Sequence, residues 1–298
     1  MGKTPSKKWD AQDRKNWLGE QKIQRSYFVD VICKLDTFAS DFELINYGKL
    51  SHDESKYPLY ALKSKHFDKN KKNILITGGV HGYETSGVHG VLEFLQNDAA
   101  SYNKDFNLVL IPCVSPWGYE TINRWNPNAL DPNRSFTKDS ACEESKYLMA
   151  FINSLDLEFT LHVDLHETTD TDNTVFRPAL AAREGKHFDE WEIPDGFYLV
   201  GDVHKPEFDF QQSIIKEVKK VTPIAPCDES NKIIGEDITQ EGVINYATKE
   251  LGLCAGMTNA PYCTTTEVYP DSPKVSAQNC IDAQVVVIKS ALKYVSKM

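Results

Sequence analysis

No stretch of this chain approaches the ~18 consecutive apolar residues that a membrane-spanning helix needs. The N-terminus, MGKTPSKKWDAQDRKNW, is charged and has no apolar signal core. Its first six residues fit the loose N-myristoylation pattern, a match short enough to be read as chance. Paired cysteines are also missing. Cys33, Cys113, Cys142, Cys227, Cys254, Cys263 and Cys280 make seven, an odd number, with no CxxC among them. That argues against a full disulfide framework and against a structural zinc knuckle. Reduced thiols in a cytoplasm-like compartment are the default expectation, with export by a route lacking a cleaved signal as the alternative. Positive charge is scarce, since 33 Lys and Arg stand against 43 Asp and Glu, a net charge of −10. The one basic run, KNKKN at 69–73 with Lys69, Lys71 and Lys72, reads as a solvated loop, so nucleic acid is not an expected partner. There is no GxSxG elbow, no GxxxxGK[ST] phosphate loop and no GxGxxG. HETTD at 166–170 lacks the second His of HExxH.

What remains is a 298-residue chain, 41% hydrophobic, with enough length for a substantial core. Repeats and low-complexity linkers are absent, so one domain over 1–298 is the economical reading. YPLYALKS, ILITGGV, NLVLIPCV, FTLHVDLHET and APYCTTTEVYP read as strands. TSGVHGVLEFLQN, ACEESKYLMAFINSL, FDFQQSIIKEVKK, EGVINYATKELG and IDAQVVVIKSALKYVSK read as helices, and residues 8–32 carry helical spacing. Strands alternating with helices predict an α/β fold around a largely parallel sheet, with ligands bound beyond the C-terminal ends of the strands.

Three predicted strand ends carry chemistry. ILITGGV runs into His81 and Glu84, LHVDL into His166, and CTTT into Glu267. Two His and one Glu form a typical catalytic zinc set with a fourth position left for water. His81 and Glu84 can grip one ion from a single turn. For the third ligand His166 is preferred to His162, which lies four residues earlier on the same strand, and Asp164 is a candidate partner for a ligating imidazole. Between these segments lies SPWGYETINRWNPNALDPNRSF, a long Pro- and Asn-rich loop with Arg124, Asn133 and Arg134. Arg is the natural fork for a carboxylate, and long loops without periodicity are more often functional than idle.

With HGYE at 81–84, SPWGYE and NRWN leading to DPNRSF, DLHET at 164–168, and TTTE ending at Glu267, the sequence resembles the zinc metallocarboxypeptidases of the carboxypeptidase A/B type, the funnelins. The resemblance covers about residues 55–297, leaving 1–54 as a helical or extended lead-in. The size and the HGxE form look closest to the bacterial rapid encystment phenotype group. The resemblance implies a three-layer α/β/α sandwich with a central mixed, mostly parallel twisted sheet. It implies one zinc ion per chain on His81, Glu84 and His166, with Glu267 as general base and acid. Arg124 would stabilise the oxyanion, and Asn133 and Arg134 would anchor the C-terminal carboxylate of a peptide or protein substrate. Tyr83 stands where pancreatic-type members carry an arginine. For the family's mobile tyrosine, Tyr246 lies near the expected distance before Glu267, while the predicted helix EGVINYATKELG would move that position to near Asp237. Tyr246, Tyr262 and Tyr269 are all read as core packing. Glu236, Asp237 and Glu241 are the candidates for a carboxylate that would select terminal Lys or Arg.

Two other functions compete. Aspartoacylases and succinylglutamate desuccinylases, which are N-acyl amino acid deacylases, also use HGxE and a DLH segment. They commonly append a C-terminal β domain, whereas in this chain about 31 residues follow Glu267, in a predicted helix. A non-catalytic binding module on a peptidase scaffold would be expected to have lost a ligand or the base, and none is lost.

Overall fold

The computed structural model describes residues 7–188 and 191–298; the MGKTPS pattern lies outside them. The strands are β1 (Phe42–Lys49), β2 (Pro58–Ser64), β3 (Lys72–Gly78), β4 (Phe106–Ile111), β5 (Phe159–Glu167), β6 (Tyr198–Asp202), β7 (Lys232–Ile233), β8 (Glu236–Asp237), β9 (Val243–Tyr246) and β10 (Tyr262–Val268). Eight form one sheet in the order β1-β2-β4-β3-β5-β10-β6-β9, while β7 and β8 pair separately. The centre, β4-β3-β5-β10, is parallel. β6 and β9 are parallel to each other, and antiparallel pairing joins β1 to β2, β2 to β4, and β6 to β10.

Alternation along the strands sorts the two faces. Ile74, Ile76, Leu108, Leu110, Leu161, Val163 and Leu165 enter one core, under the helices Thr85–Phe94, Phe208–Val218 and Ala277–Val295. Leu75, Val109 and Ile111 face the other way, towards Leu148, Phe151 and Ile152 of the helix Glu143–Ser154. Helices on both faces make the α/β/α sandwich that was expected. The period of two has a direct consequence on β5. With Leu161, Val163 and Leu165 committed to the first core, His162, Asp164 and His166 must project from the opposite face.

Four strands were not anticipated, β1 and β6 of the large sheet and the short pair β7 and β8. EGVINYATKELG is not helical: Val243–Tyr246 pairs in parallel with Leu199–Asp202, and turns follow. Gly242, at φ +66°, turns the chain into this strand. The seven cysteines are all unpaired, with only Cys33 and Cys227 exposed. Among the described residues no helix is long and apolar enough to cross a membrane.

Candidate metal centre and its cavity

Register brings the predicted ligands together. β3, β5 and β10 are parallel neighbours, so their C-terminal ends share one edge, with Glu267 opposite His166 and Gly78 opposite Leu165. Beyond β3 the chain turns sharply at Gly79, whose φ is +63°. Gly82 lies against another backbone: a Cβ there would sit 2.1 Å from Tyr119 N. The turn is therefore seated on the helix Pro116–Thr121 and delivers His81 and Glu84 towards β5. Arg25 holds the same turn from outside, donating through Nη2 to Gly82 O at 2.7 Å and through Nη1 to Thr85 Oγ1 at 2.7 Å. Its Nε donates to Tyr119 O, and its guanidinium lies 3.7 Å from the Tyr119 ring centroid.

His81, Glu84 and His166 are buried, and their donor atoms all lie within 4.8 Å of one another. Nδ1 of His81 is 2.7 Å from Glu84 Oε1, and Nδ1 of His166 is 2.7 Å from Glu84 Oε2. The outward nitrogens meet carboxylates as well, His81 Nε2 at 2.9 Å from Asp131 Oδ1 and His166 Nε2 at 3.0 Å from Asp164 Oδ2. Burial would raise the Glu84 carboxyl, but the imidazoles of His166 and His81 carry it down to about 2. Burial would likewise depress His166, yet Glu84 and Asp164 hold it well above the ordinary histidine range. So many buried carboxylates around two imidazoles call for a cation, and the three convergent donors fit zinc in number and type.

Asp131 does more than the sequence suggested. It caps the short turn Pro132–Arg134 by accepting from Asn133 N, and it accepts from Arg124 Nε at 3.0 Å. Arg124 Nη1 donates to Asp172 Oδ1 at 2.9 Å, so the guanidinium sits between two carboxylates. Tyr83, at the position of the pancreatic-type arginine, donates to the same Asp172 oxygen. Asn133 is buried, and its Oδ1 accepts from Cys254 N while Nδ2 lies 3.4 Å from His166 Nε2. Arg134 donates through Nη1 to Asn133 O and has no carboxylate partner among the described residues.

A cavity of about 560 Å³ is lined by His81, Glu84, Arg124, Asn133, Arg134 and Glu267 together with Tyr198 and Tyr246. Burial raises the Glu267 carboxyl to about 8; Glu84 and Asp172 add to this, while His166 and the Thr168 hydroxyl oppose it. Thr168 Oγ1 donates to Glu267 Oε2 at 2.8 Å and lies 2.7 Å from Tyr198 OH. Sequence reasoning assigned no role to Thr168 or Tyr198, although Thr168 closes the DLHET segment quoted above. Tyr246 packs against the core cluster of Tyr198, Val200, Ala225, Ile233 and Ile244, and at the end of β9 it also reaches the cavity wall. Tyr262 packs against Phe210 and Tyr294, and Tyr269 donates to Asp170. Glu236 and Asp237 are exposed on β8, and Glu241 is exposed and paired with Lys219. None of the three lines the cavity.

The sheet order and flanking helices define the carboxypeptidase-like α/β fold, and the edge of its parallel strands carries the His–Glu–His cluster. Residues 70–191 match the family model of the succinylglutamate desuccinylase/aspartoacylase catalytic domain. No curated protein matches the sequence. A candidate metallopeptidase from Shewanella amazonensis superposes with a TM-score of 0.67 at 17% identity, covering 92% of this chain and 98% of that one. The metallo-carboxypeptidase from Burkholderia cenocepacia gives 0.60 at 15% identity, with 89% and 68% covered. Bovine thrombin-activatable fibrinolysis inhibitor, solved with tick carboxypeptidase inhibitor, gives 0.58 at 14%, with 94% and 99% covered.

Proposed function

We propose that the chain is a zinc-dependent metallocarboxypeptidase that removes C-terminal residues from peptides. One observation carries the reading. His81 and Glu84, whose donor atoms converge with that of His166, line a single cavity of about 560 Å³ together with Glu267, Arg124 and Arg134. That combination suits hydrolysis of an amide bond beside a free carboxylate. Zinc, when bound, supplies a Lewis acid and lowers the pKa of its water towards ~7. Glu267, with Oε2 fixed by Thr168, takes the proton of the attacking water in its carboxylate form, which a cation on the neighbouring cluster would favour over the cation-free value of about 8, and passes it to the leaving amine. Arg124 is immobilised through Nε and Nη1, which leaves Nη2 to meet charge that develops on the carbonyl oxygen. Losing such a donor costs about 3 kcal/mol of transition-state stabilisation. Arg134, with no carboxylate partner among the described residues, holds the substrate's terminal carboxylate and sets the register of the scissile bond. Glu236, Asp237 and Glu241 are exposed and off the cavity, so none of the three supplies a carboxylate that would select terminal Lys or Arg.

A second reading keeps the same chemistry and exchanges the peptide for an N-acyl amino acid. It is favoured by the family match over 70–191, a span that includes all three metal candidates. Blocked dipeptides ending in Arg, Lys, Phe, Glu or an amidated residue, assayed beside N-acyl amino acids, separate the two. Chelator-sensitive cleavage of free-carboxylate dipeptides, abolished in Glu267→Gln, is the expected result. Turnover of N-acyl amino acids alone would move the assignment to the deacylase. No cleavage of either by zinc-loaded protein would sink both.

A further inference from the structure

A second cluster adjoins the first. His162, Asp164 and Cys254 are all buried, with donor atoms within 4.8 Å of one another. Its composition suits a metal, but its centre is occupied by the Thr77 side chain. Thr77 Oγ1 lies 2.6 Å from Asp164 Oδ1, 3.1 Å from His162 Nε2 and 3.6 Å from Cys254 Sγ. We infer that this cluster is a hydrogen-bonded brace for the neighbouring metal centre, with Thr77 and His162 as positioning residues that fix His166 in its metal-ligating tautomer. The inference rests on the metal-site reading above.

Proton bookkeeping carries it. Asp164 as a carboxylate can only accept. The single hydroxyl proton of Thr77 therefore goes to Asp164 Oδ1, across the shortest contact in the set. Thr77 Oγ1 must then accept from His162, so the His162 proton sits on Nε2. Nδ1 of His162 is left as an acceptor, facing the Thr258 hydroxyl at 3.3 Å. The other oxygen of Asp164 takes the proton of His166 Nε2 at 3.0 Å. The Asn133 amide, 3.4 Å from that nitrogen, is the longer contact and yields to the charged partner. With its proton on Nε2, His166 keeps a lone pair on Nδ1, the atom aimed at Glu84. The links Thr77–Asp164–His166 then each have one direction, and His162 has the Ala255 backbone as a further hydrogen-bond partner.

The backbone makes the brace rigid. Thr77 and Asp164 are register partners on adjacent parallel strands, and His162, Asp164 and His166 alternate along one face of β5. Rotating the Asp164 carboxylate would break the bond to Thr77, and the strand pairing keeps Thr77 in place. Loss of such outer partners of a ligating histidine typically weakens metal binding 10- to 100-fold.

The test measures zinc affinity by competition with a chromophoric chelator, alongside thermal stability and the visible spectrum of the Co²⁺-substituted protein. Thr77→Val, which removes the hydroxyl at constant volume, should weaken zinc binding about 10- to 100-fold and shift the Co²⁺ bands. Thr77→Ser should stay near wild type, as should His162→Gln, whose amide nitrogen can replace Nε2. If Thr77→Val does not fold, Thr77→Ala carries the same expectation. Folded Val or Ala variants with wild-type zinc affinity and unchanged Co²⁺ bands, merely less stable, would reduce the cluster to core packing. Two ions per wild-type chain, falling to one in Cys254→Ser, would overturn the brace in favour of a second metal site. A wild-type protein that binds no zinc would bring down the metal-centre reading and the brace together, an outcome distinct from the other two.

Discussion

Asp131→Asn is the substitution whose outcome the geometry constrains most tightly. The two side chains are nearly equal in size, so no cavity term enters. In the wild type Oδ1 accepts from His81 Nε2 and from Asn133 N, while Oδ2 accepts from Arg124 Nε. A carboxamide has one acceptor oxygen and one NH₂. Whichever way it is turned, the NH₂ faces a donor, either Arg124 Nε or the His81 and Asn133 nitrogens. At least one charge-assisted hydrogen bond is lost, worth about 1.5–3 kcal/mol, and a donor–donor contact replaces it. Breaking a buried ion pair outright costs about 3–5 kcal/mol, but Arg124 retains Asp172. The expected destabilisation of the metal-free protein is therefore about 2–4 kcal/mol, read from urea unfolding in the presence of chelator. Zinc affinity should fall about 10- to 100-fold in the same variant, because His81 loses the group that orients it. A variant within about 0.5 kcal/mol of wild type, the range of an ordinary surface substitution, with zinc affinity changed less than about threefold, would refute this role for Asp131.

Three further outcomes are expected. Glu267→Gln should lower kcat by about 10²–10⁴ while leaving the zinc dissociation constant near wild type, since Glu267 is not among the three ligands; a large loss of zinc would show that the base is itself a ligand. Chelation should lower the thermal midpoint reversibly, because zinc at 100 times its dissociation constant contributes about 2.7 kcal/mol to the folded state; a midpoint indifferent to zinc would argue that the cluster holds none. Burial, partly opposed by Asp164, depresses His162 to about 4, and Cys254 is the other titratable neighbour. Its folded pKa lies below the unfolded value of about 6.5, so the stabilisation is complete above about pH 6.5 and is lost as pH falls towards 4, about 3 kcal/mol in all. His162→Gln should flatten that part of the pH–stability curve relative to wild type, and superimposable curves would contradict the assignment.

The candidate ligand set was legible because its signals are local. A buried apolar run ending in GGVHGYE, and alternation in LHVDLHE, specify strand, face and end without reference to the rest of the chain. What escaped the sequence depends on neighbours. EGVINYATKELG has apolar residues at near-helical spacing, yet pairing with β6 decides its state, an instance of tertiary context overriding pattern. β1 is an edge strand without a continuous apolar run, and β6 is only five residues long. Thr168 and Tyr198 meet Glu267 because β10 lies between β5 and β6, a sheet order no local pattern encodes. Asp131 was visible as part of DPNR, but its bonds to His81 and Arg124 belong to the folded chain.

Arg25 gives the metal turn a dependence on residues that supply no ligand. Its guanidinium ties Gly82 and Thr85 to Tyr119, so the stretch around Arg25 and the HGYE turn share one docking equilibrium. Such coupling is reciprocal: whatever factor docking adds to ion affinity, ion binding returns to docking. A protease cutting near residue 25 would therefore report on metal loading more than fifty residues further along the chain. The N-terminal segment becomes a gauge of occupancy at a site it never enters.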